Sequence, residues 1–518
     1  MNRRQFTAAA WAGVAGAALA PRWLWGGEGL RRAPEARGAQ TGGRREDYIL
    51  PRFSLVQPEL FAQAGGQPNG WADYNNDGRP DLFVGFMRDI PNRLYRNDEG
   101  RFSEVAAEVG LADTTDTRAA SWGDFDRDGH LDLYVGFTRR SGARNKLYRN
   151  EGEGKHFTDV AHELGVDAMG ESRQVSWIDF DNDGRVDLFV AFRDAPNRLF
   201  HNEGNRFVDV APDMGVADPR KTVGAVWFDY NRDGRLDLYV ANEDGTLNGL
   251  FRNDGHRFVD VAEELGMTAA GRARDEGSNG PSVMDYDNDG LLDLFVASYG
   301  PNFLYHSDGR GRFTEVAAAM GVRGGDQATP SNWGDYDNDG RADLYVSNYL
   351  LHPLNEHDHL YHNAGDHFSD AIAPMMLGHG ATHGVQWADY DGDGALDLAL
   401  CNNNPHGHHY LWHNDLPPER ARRSLQVLVT DARGRYTKAG SEVRVYQPGT
   451  RTLVGTRLVD TGSGYCSQNV MPVHLGLPTE GPLDVEVTSM STAGRKITRV
   501  AGVDPNQLPR RVLKVAVP

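Results

Sequence analysis

An acidic segment of nine residues recurs along the chain with its carboxylates at fixed spacing. In the copy that begins at Asp124, oxygen-bearing side chains stand at positions 1, 3, 5 and 9, and Gly129 stands at position 6. Glycine there permits a sharp turn, and the backbone carbonyl of position 7 can join the same ligand shell. The pattern is the beginning of an EF-hand loop, closed by Asp132 at position 9 instead of a glutamate at position 12. Hard oxygen donors without Cys or His select calcium over zinc or copper.

Seven such copies predict seven calcium sites. Four carboxylates in one turn would repel one another without a cation, so turns that bind no metal are the weaker interpretation. Asn replaces Asp at position 3 in two copies, which keeps the oxygen and removes one charge. The predicted ligands are, copy by copy, Asp73, Asn75, Asp77 and Asp81; Asp124, Asp126, Asp128 and Asp132; Asp179, Asp181, Asp183 and Asp187; Asp229, Asn231, Asp233 and Asp237; Asp285, Asp287, Asp289 and Asp293; Asp335, Asp337, Asp339 and Asp343; and Asp389, Asp391, Asp393 and Asp397.

The loops belong to a longer repeat of about 50 residues. Each unit reads Trp-x-Asp-Tyr-Asp-x-Asp-Gly-x-x-Asp-Leu-Tyr-Val, then Asn-x-Leu-Tyr-x-Asn, then Phe-x-Asp-Val-Ala, with looser forms in the last units. The alternation of apolar and polar residues predicts four short strands per unit, and four strands at this period are typical of a propeller blade. The predicted fold is all-β: a seven-bladed β-propeller with calcium loops, followed by a small β-sandwich. A solenoid of the same period is the competing architecture.

The ends of the repeat predict how the ring closes. The seventh unit lacks its Phe-x-Asp-Val strand, and an orphan copy, Phe53-Ser54-Leu55-Val56, precedes the first unit. We therefore expect this N-terminal segment to complete the seventh blade and to remove the open sheet edges.

Composition excludes some classes of function. The 518 residues carry a formal net charge of −19, so the basic surface that nucleic-acid binding needs is missing. The acids are concentrated in the repeated loops, which points to cations as partners. Two cysteines, Cys401 and Cys466, match no zinc motif; either a single bridge or two buried thiols fits them.

The chain is expected to be exported. Asn2-Arg3-Arg4-Gln5-Phe6-Thr7 precedes a short apolar run, so residues 1–20 resemble a twin-arginine-type signal peptide and residues 21–50 a disordered leader. Residues 51–415 form the predicted propeller and residues 422–518 the predicted β domain. No segment of the mature chain is apolar enough to span a membrane. A periplasmic or extracellular location follows from these features.

The loops and the two phrases that follow them resemble the FG-GAP/VCBS repeats of integrin-α-like propellers. Residues 422–518 are similar to the ASPIC/UnbV domain of cartilage acidic protein and its bacterial relatives. The resemblance of that domain is carried by Ala439-Gly440-Ser441-Glu442-Val443-Arg444-Val445, Gly464-Tyr465-Cys466-Ser467-Gln468 and His474-Leu475-Gly476-Leu477.

Histidines concentrate in the last two blades, in loops predicted to lie on the face opposite the calcium loops. They could form a polar surface, a site for a transition metal or for general acid–base chemistry, or a ligand patch. The candidate catalytic residues are His379, His383, His406 and His408, with His352, His357 and His409 on the same predicted face. Arg88, Arg118, Arg173 and Arg193 are expected to ring that face, where they could hold an anion or pair with Asp89, Asp194 and Asp275.

The sequence thus favours an exported calcium-binding propeller that recognises a protein or a glycan. No nucleophile elbow, Walker loop, dinucleotide fingerprint or His-Glu-x-x-His helix is present. Two alternatives stay open: an enzyme whose active site, with or without a transition metal, lies on the His-rich face, and a biosynthetic accessory protein, which rests on the resemblance to UnbV alone.

Overall fold

A computed structural model describes residues 49–324, 327–349, 357–376, 382–403 and 408–518; the predicted signal peptide and almost all of the predicted leader lie outside these ranges. The chain up to residue 415 forms seven four-stranded antiparallel sheets. Its strands are β1 Phe53–Leu55, β2 Gly66–Ala72, β3 Asp81–Phe86, β4 Arg93–Asp98, β5 Arg101–Glu104, β6 Thr117–Gly123, β7 Asp132–Phe137, β8 Lys146–Asn150, β9 Phe157–Asp159, β10 Ser172–Ile178, β11 Asp187–Phe192, β12 Arg198–Asn202, β13 Phe207–Asp209, β14 Thr222–Phe228, β15 Asp237–Asn242, β16 Gly249–Asn253, β17 Phe258–Asp260, β18 Gly277–Met284, β19 Asp293–Tyr299, β20 Phe303–Ser307, β21 Phe313–Glu315, β22 Ala328–Gly334, β23 Asp343–Asn348, β24 His359–Asn363, β25 Phe368–Asp370, β26 Thr382–Ala388, β27 Asp397–Asn402 and β28 Tyr410–Asn414.

The sheets are arranged as blades around an axis. The first strand of each repeat (β2, β6, β10, β14, β18, β22 and β26) is buried along its length and contacts the first strands of both neighbours, so the contacts close a ring. Apolar side chains from adjacent sheets interdigitate between the blades and form the core. The predicted all-β propeller fold is confirmed.

Short helices connect the blades, and so does a recurring side chain that we call the clamp. Four one-turn helices follow the outermost strands: α1 Ala106–Val109, α2 Ala161–Leu164, α3 Ala211–Met214 and α4 Ala317–Met320. The clamp is an asparagine at the end of the third strand, such as Asn150, whose amide donates to the carbonyl of Tyr74 in the neighbouring acidic loop at 2.9 Å. Ser307 stands at this position in the fifth blade, where a hydroxyl replaces the amide.

The ring closes as the orphan repeat predicts. β1 pairs with β28, with Phe53 opposite Asn414 and Leu55 opposite Trp412. Ser54 Oγ also donates to Asp415 at 2.9 Å. The last blade is thus built from both ends of the propeller sequence.

A two-sheet domain follows the linker helix α5 Pro418–Ala421. Its strands are β29 Ser424–Asp431, β30 Glu442–Tyr446, β31 Leu453–Leu458, β32 Ser467–Gln468, β33 Val473–Gly476, β34 Leu483–Ser489, β35 Lys496–Val503 and β36 Val512–Val517. One sheet has the order β33-β29-β36 and the other β31-β30-β34-β35, and the valines and leucines between them form one core. This arrangement is a small β-sandwich.

One segment of that domain leaves the sandwich and enters the ring. We call residues 460–471 the axial segment. Its strand β32 pairs in parallel with β6, and Val470 N donates to Trp71 O at 3.0 Å. Gln468 accepts from Trp177 N at 2.6 Å and donates to Trp177 O at 3.2 Å. On the other side of the axis, Val385 N donates to Gly464 O at 3.1 Å. The axial segment therefore fills the centre of the propeller and ties its first strands together.

The two cysteines form no bridge. Cys401 and Cys466 are both free and buried, and the Cys401 Sγ lies 3.8 Å from His409 Nδ1. Within the described residues no helix is long and apolar enough to cross a membrane.

Candidate functional site

The acidic loops connect the first and second strands of every blade, and they share one hydrogen-bonding pattern. The aspartate at position 1 accepts a hydrogen bond from the backbone N–H of the glycine at position 6 in all seven loops, at 2.8 to 3.2 Å. The aspartate at position 9 accepts from the N–H at the end of the third strand, at 2.7 to 2.9 Å. The sequence repeat therefore becomes seven copies of one carboxylate geometry.

Burial destabilises the charged form of these carboxylates when no cation is bound. It raises the pKa of Asp81 to about 8, with the charges of Asp77 and Asp73 adding to the effect. In the second loop, burial and then the charges of Asp128 and Asp126 raise the pKa of Asp124 to about 7. A divalent cation stabilises the charged form of carboxylates that are crowded in one loop and have raised pKa values, because it offsets their charge.

Several of these loops hold buried carboxylate oxygens without a hydrogen-bond partner. They are Asp81 Oδ2, Asp124 Oδ1, Asp179 Oδ1, Asp237 Oδ2 and Asp337 Oδ2. A buried oxygen with a formal charge and no partner is the position that a metal ion satisfies. The donor set, carboxylates with a backbone carbonyl, fits calcium.

The sequence reasoning missed a basic residue beside each loop. The penultimate residue of the third strand, the second variable position of the Asn-x-Leu-Tyr-x-Asn phrase, is histidine in four blades. These histidines contact the aspartate at position 9 through Nδ1 at 3.0 to 3.2 Å: His201 with Asp187, His306 with Asp293, His362 with Asp343 and His413 with Asp397. The hydrogen bonds to Asp293 and Asp397 raise the pKa of His306 and of His413 to about 9. The sequence does contain a signal for these residues, because this position of the repeat is always arginine or histidine.

The C-terminal sandwich contacts the same loops. Arg495 Nη1 lies 2.8 Å from Asp229 Oδ2, and Gln426 Nε2 donates to Asp389 Oδ2 at 2.7 Å. Arg420 Nε donates to the Asp337 carbonyl at 2.7 Å. Side chains from the sandwich thus reach the loops of the fourth and seventh blades, the linker helix α5 reaches the loop of the sixth, and the acidic face of the ring carries the sandwich.

The predicted histidine face is only partly described. His379, His406 and His352 lie outside the described residues. His383 is buried in β26 and packs its ring against Tyr465 of the axial segment at 5.6 Å. His408 is exposed, and its Nδ1 lies 2.6 Å from the Ala62 carbonyl oxygen. The prediction that His409 belongs to that surface is wrong, because its ring packs into the core between Phe61 and Tyr95.

The arginines expected on the same face take other partners than predicted. Arg118 and Arg173 are buried at the axis, where Arg118 Nη2 donates to Tyr465 Oη at 2.8 Å. Arg193 Nε donates to Glu243 at 2.7 Å. Asp194, one of the three aspartates expected to pair with these arginines, pairs instead with Arg139 of the neighbouring blade at 2.7 Å.

Buried His409 gives the protein a predictable acid sensitivity. Burial lowers its pKa from 6.5 to about 3, so the folded state keeps the ring neutral. The stability from this residue is complete above pH 6.5 and falls as the pH drops towards 3, by up to ~1.4 kcal/mol per pH unit. Urea unfolding at pH 7 and pH 5 in saturating calcium should show a steeper loss for the wild type than for His409→Phe. The same change in exposed His256 should leave the slope as it is; equal slopes for His409→Phe and wild type would contradict the assignment.

Comparison with known proteins supports the repeat. The model of the FG-GAP-like repeat matches residues 73–135, 137–190, 179–240 and 285–346, and all four matches include acidic loops. The chain therefore carries FG-GAP-like repeats. The assignment from sequence, FG-GAP repeats followed by an ASPIC/UnbV-type domain, is confirmed.

Curated proteins similar to this chain are much longer. Cartilage acidic protein 1 of Xenopus tropicalis is 31% identical over 56% of this chain and 45% of its own length. The human protein of the same name is 30% identical over 74% of this chain and 42% of its own length. The chain therefore spans less than half the length of these curated relatives. Among solved structures, an Agrocybe aegerita lectin that recognises non-reducing terminal N-acetylglucosamine aligns with a TM-score of 0.39 and 16% identity, over 68% of this chain and 90% of the lectin.

Proposed function

We propose that this chain is an exported, calcium-dependent recognition module. Calcium in the acidic loops stiffens the ring, and the face remote from those loops binds a protein or a glycan. The observation that carries the proposal is the filled axis: the axial segment occupies the centre, and the sandwich sits on the acidic face. The loops of the opposite face are then the surface on which a rigid scaffold presents side chains.

Charged side chains on that face are held in place by ion pairs between blades. Arg139 and Arg140, in the connection between β7 and β8, are about 70% exposed and pair with Asp194 and Asp116 at 2.7 and 2.8 Å. Such pairs add little stability on an exposed surface, but they restrict the loops to one arrangement. A pre-organised charged surface lowers the entropy cost of binding.

A direct test uses the calcium-loaded chain as a probe on a printed glycan array and on a panel of purified extracellular proteins. Binding is expected in calcium and is expected to fall at least ~10-fold for the double change Arg139→Ala and Arg140→Ala. Lys155→Ala, on the loop beside Glu153 at the acidic end of the same blade, is the matched control and should bind like the wild type. Binding that survives the arginine changes but is lost in Lys155→Ala would contradict the proposal, because it would place the recognition surface on the face of the acidic loops.

A further inference from the structure

Blade six carries a compact group of two imidazoles and one carboxylate outside the acidic loops. His359 Nδ1 lies 2.7 Å from Asp370 Oδ2, and His357 Nε2 lies 3.4 Å from the same oxygen. The two imidazole rings are 4.8 Å apart between centroids. One ligand atom from each of the three residues therefore lies within 4.8 Å of the other two.

The backbone around this group is fixed by a buried aspartate. Asp358, between the two histidines, accepts hydrogen bonds from Asn348 N at 2.8 Å, from Tyr345 Oη at 2.9 Å and from Thr382 Oγ1 at 2.8 Å. Because successive side chains of an extended segment alternate in direction, anchoring residue 358 inwards turns residues 357 and 359 together to the other side. The histidine pair is thus set by the fold.

The carboxylate is also held in place. Asp370 ends β25, and its Oδ1 accepts from Ile372 N at 3.1 Å, while its Oδ2 faces the histidines. The His359 ring stacks on Tyr361, with centroids 5.1 Å apart and planes 19° apart. The three ligand atoms therefore need little ordering to converge on an ion, which favours binding.

Other blades carry a different residue at the position of His359. His359 stands where the first and third blades have Arg93 and Arg198, which pair with Glu104 and Asp209. An arginine makes a closed ion pair with the acid and offers no ligand atom to a metal. In blade six the imidazole of His359 replaces that guanidinium. Together with His357 and Asp370 it offers ligand atoms for a metal in place of a closed ion pair.

We propose that His357, His359 and Asp370 form a binding site for one divalent transition metal of the zinc type. Two imidazole nitrogens and one carboxylate oxygen suit zinc, cobalt, nickel and copper, whereas calcium prefers oxygen ligands alone. Three protein ligands leave a coordination position for water or for a donor atom of a bound partner. The site lies at the start of β24 and the end of β25, remote from the acidic loop between β22 and β23, so it is separate from the calcium sites of the proposed function.

The test is metal titration of the full chain, stripped of metals and reloaded with excess calcium. Zinc is added in a calorimeter, and cobalt is added in a spectrophotometer as a coloured substitute for zinc. The wild type is expected to bind about one zinc with micromolar or tighter affinity, and cobalt is expected to give visible ligand-field bands. His359→Arg, which restores the residue of the sibling blades, and His357→Gln should each weaken binding by ~10-fold or more.

Controls separate this site from the acidic loops. His306→Gln removes an imidazole beside a predicted calcium loop and should leave zinc affinity unchanged. Calcium content is measured in every sample and is expected to be the same in all of them, so a failure of the calcium proposal is recognised independently. Zinc affinity equal to the wild type in both His359→Arg and His357→Gln overturns the site, and so does a loss caused by His306→Gln alone. If His359→Arg unfolds, His357→Gln and Asp370→Asn decide the result.

Discussion

Chelation of calcium is expected to lower the thermal midpoint of unfolding by ~10 °C or more. Each site filled at a hundred times its Kd adds ~2.7 kcal/mol to the folded state, so several sites together rival the ~5–15 kcal/mol that stabilises a typical protein. In the calcium-free protein the carboxylates of Asp81 and Asp124 stay buried, with their pKa values raised to about 8 and about 7. Calorimetry before and after treatment with EGTA measures the shift, and metal analysis measures the number of ions released.

One substitution in one loop refines this test. Asp132→Asn keeps the acceptor for the Asn150 N–H but removes the charge of a fully buried carboxylate, so the variant should release one calcium fewer than the wild type. Asp98→Asn removes an exposed carboxylate that pairs with Arg96 and should release as many as the wild type. Restoration of the midpoint by calcium and not by magnesium is expected from the flexible oxygen shell. An unchanged midpoint together with no released calcium would remove the basis of the proposed function.

The axial segment gives the second large effect. Gly464 has a φ of +66°, and a Cβ at this residue would lie 2.0 Å from the Val385 carbonyl oxygen. Gly464→Ala must therefore move the segment away from β26, which strains the hydrogen bonds between Val385 and residue 464 and between Gln468 and Trp177. We expect a loss of ~3–5 kcal/mol in unfolding free energy, measured by urea titration, and faster proteolysis of the linker near residue 416.

The chain offers a closely matched control for that substitution. Gly449 has the same φ of +66°, but no heavy atom lies within 4 Å of the Cβ that alanine would add. Gly449→Ala therefore carries the backbone strain alone and should cost ~1–2 kcal/mol. If the two variants lose the same stability, contact with the ring does not hold the axial segment in place.

The repeat made the blades predictable, and the axial segment escaped prediction for a physical reason. Strand periodicity and the orphan segment at Phe53 are local patterns, and both led to the observed sheets and closure. Residues 460–471 have no period, and their partners lie far away in sequence, as Gln468 and Trp177 do. A single sequence reveals alternation along a strand; it does not reveal which loop enters which channel.

The candidate sites show the same division. The spacing of aspartates around Asp124 led directly to loops that share one geometry. His306 was missed because a search for oxygen ligands passed over the basic residue next to them. His409, in turn, looked like a surface residue because it follows other histidines, although its side chain points into an aromatic core. Composition locates a cluster, whereas the direction of each side chain depends on tertiary packing.

The closure of blade seven also constrains how the protein can fold. β1 and β28 are about 360 residues apart, so during synthesis the outer strand of that blade has no partner until residue 414 has emerged and the ring has formed. Contacts of such long range slow folding, and an unpaired strand edge can accept the same strand from another molecule. A chain that loses Phe53–Leu55 would therefore leave the edge of β28 unpaired, and dimers that pair these two edges would be the expected product.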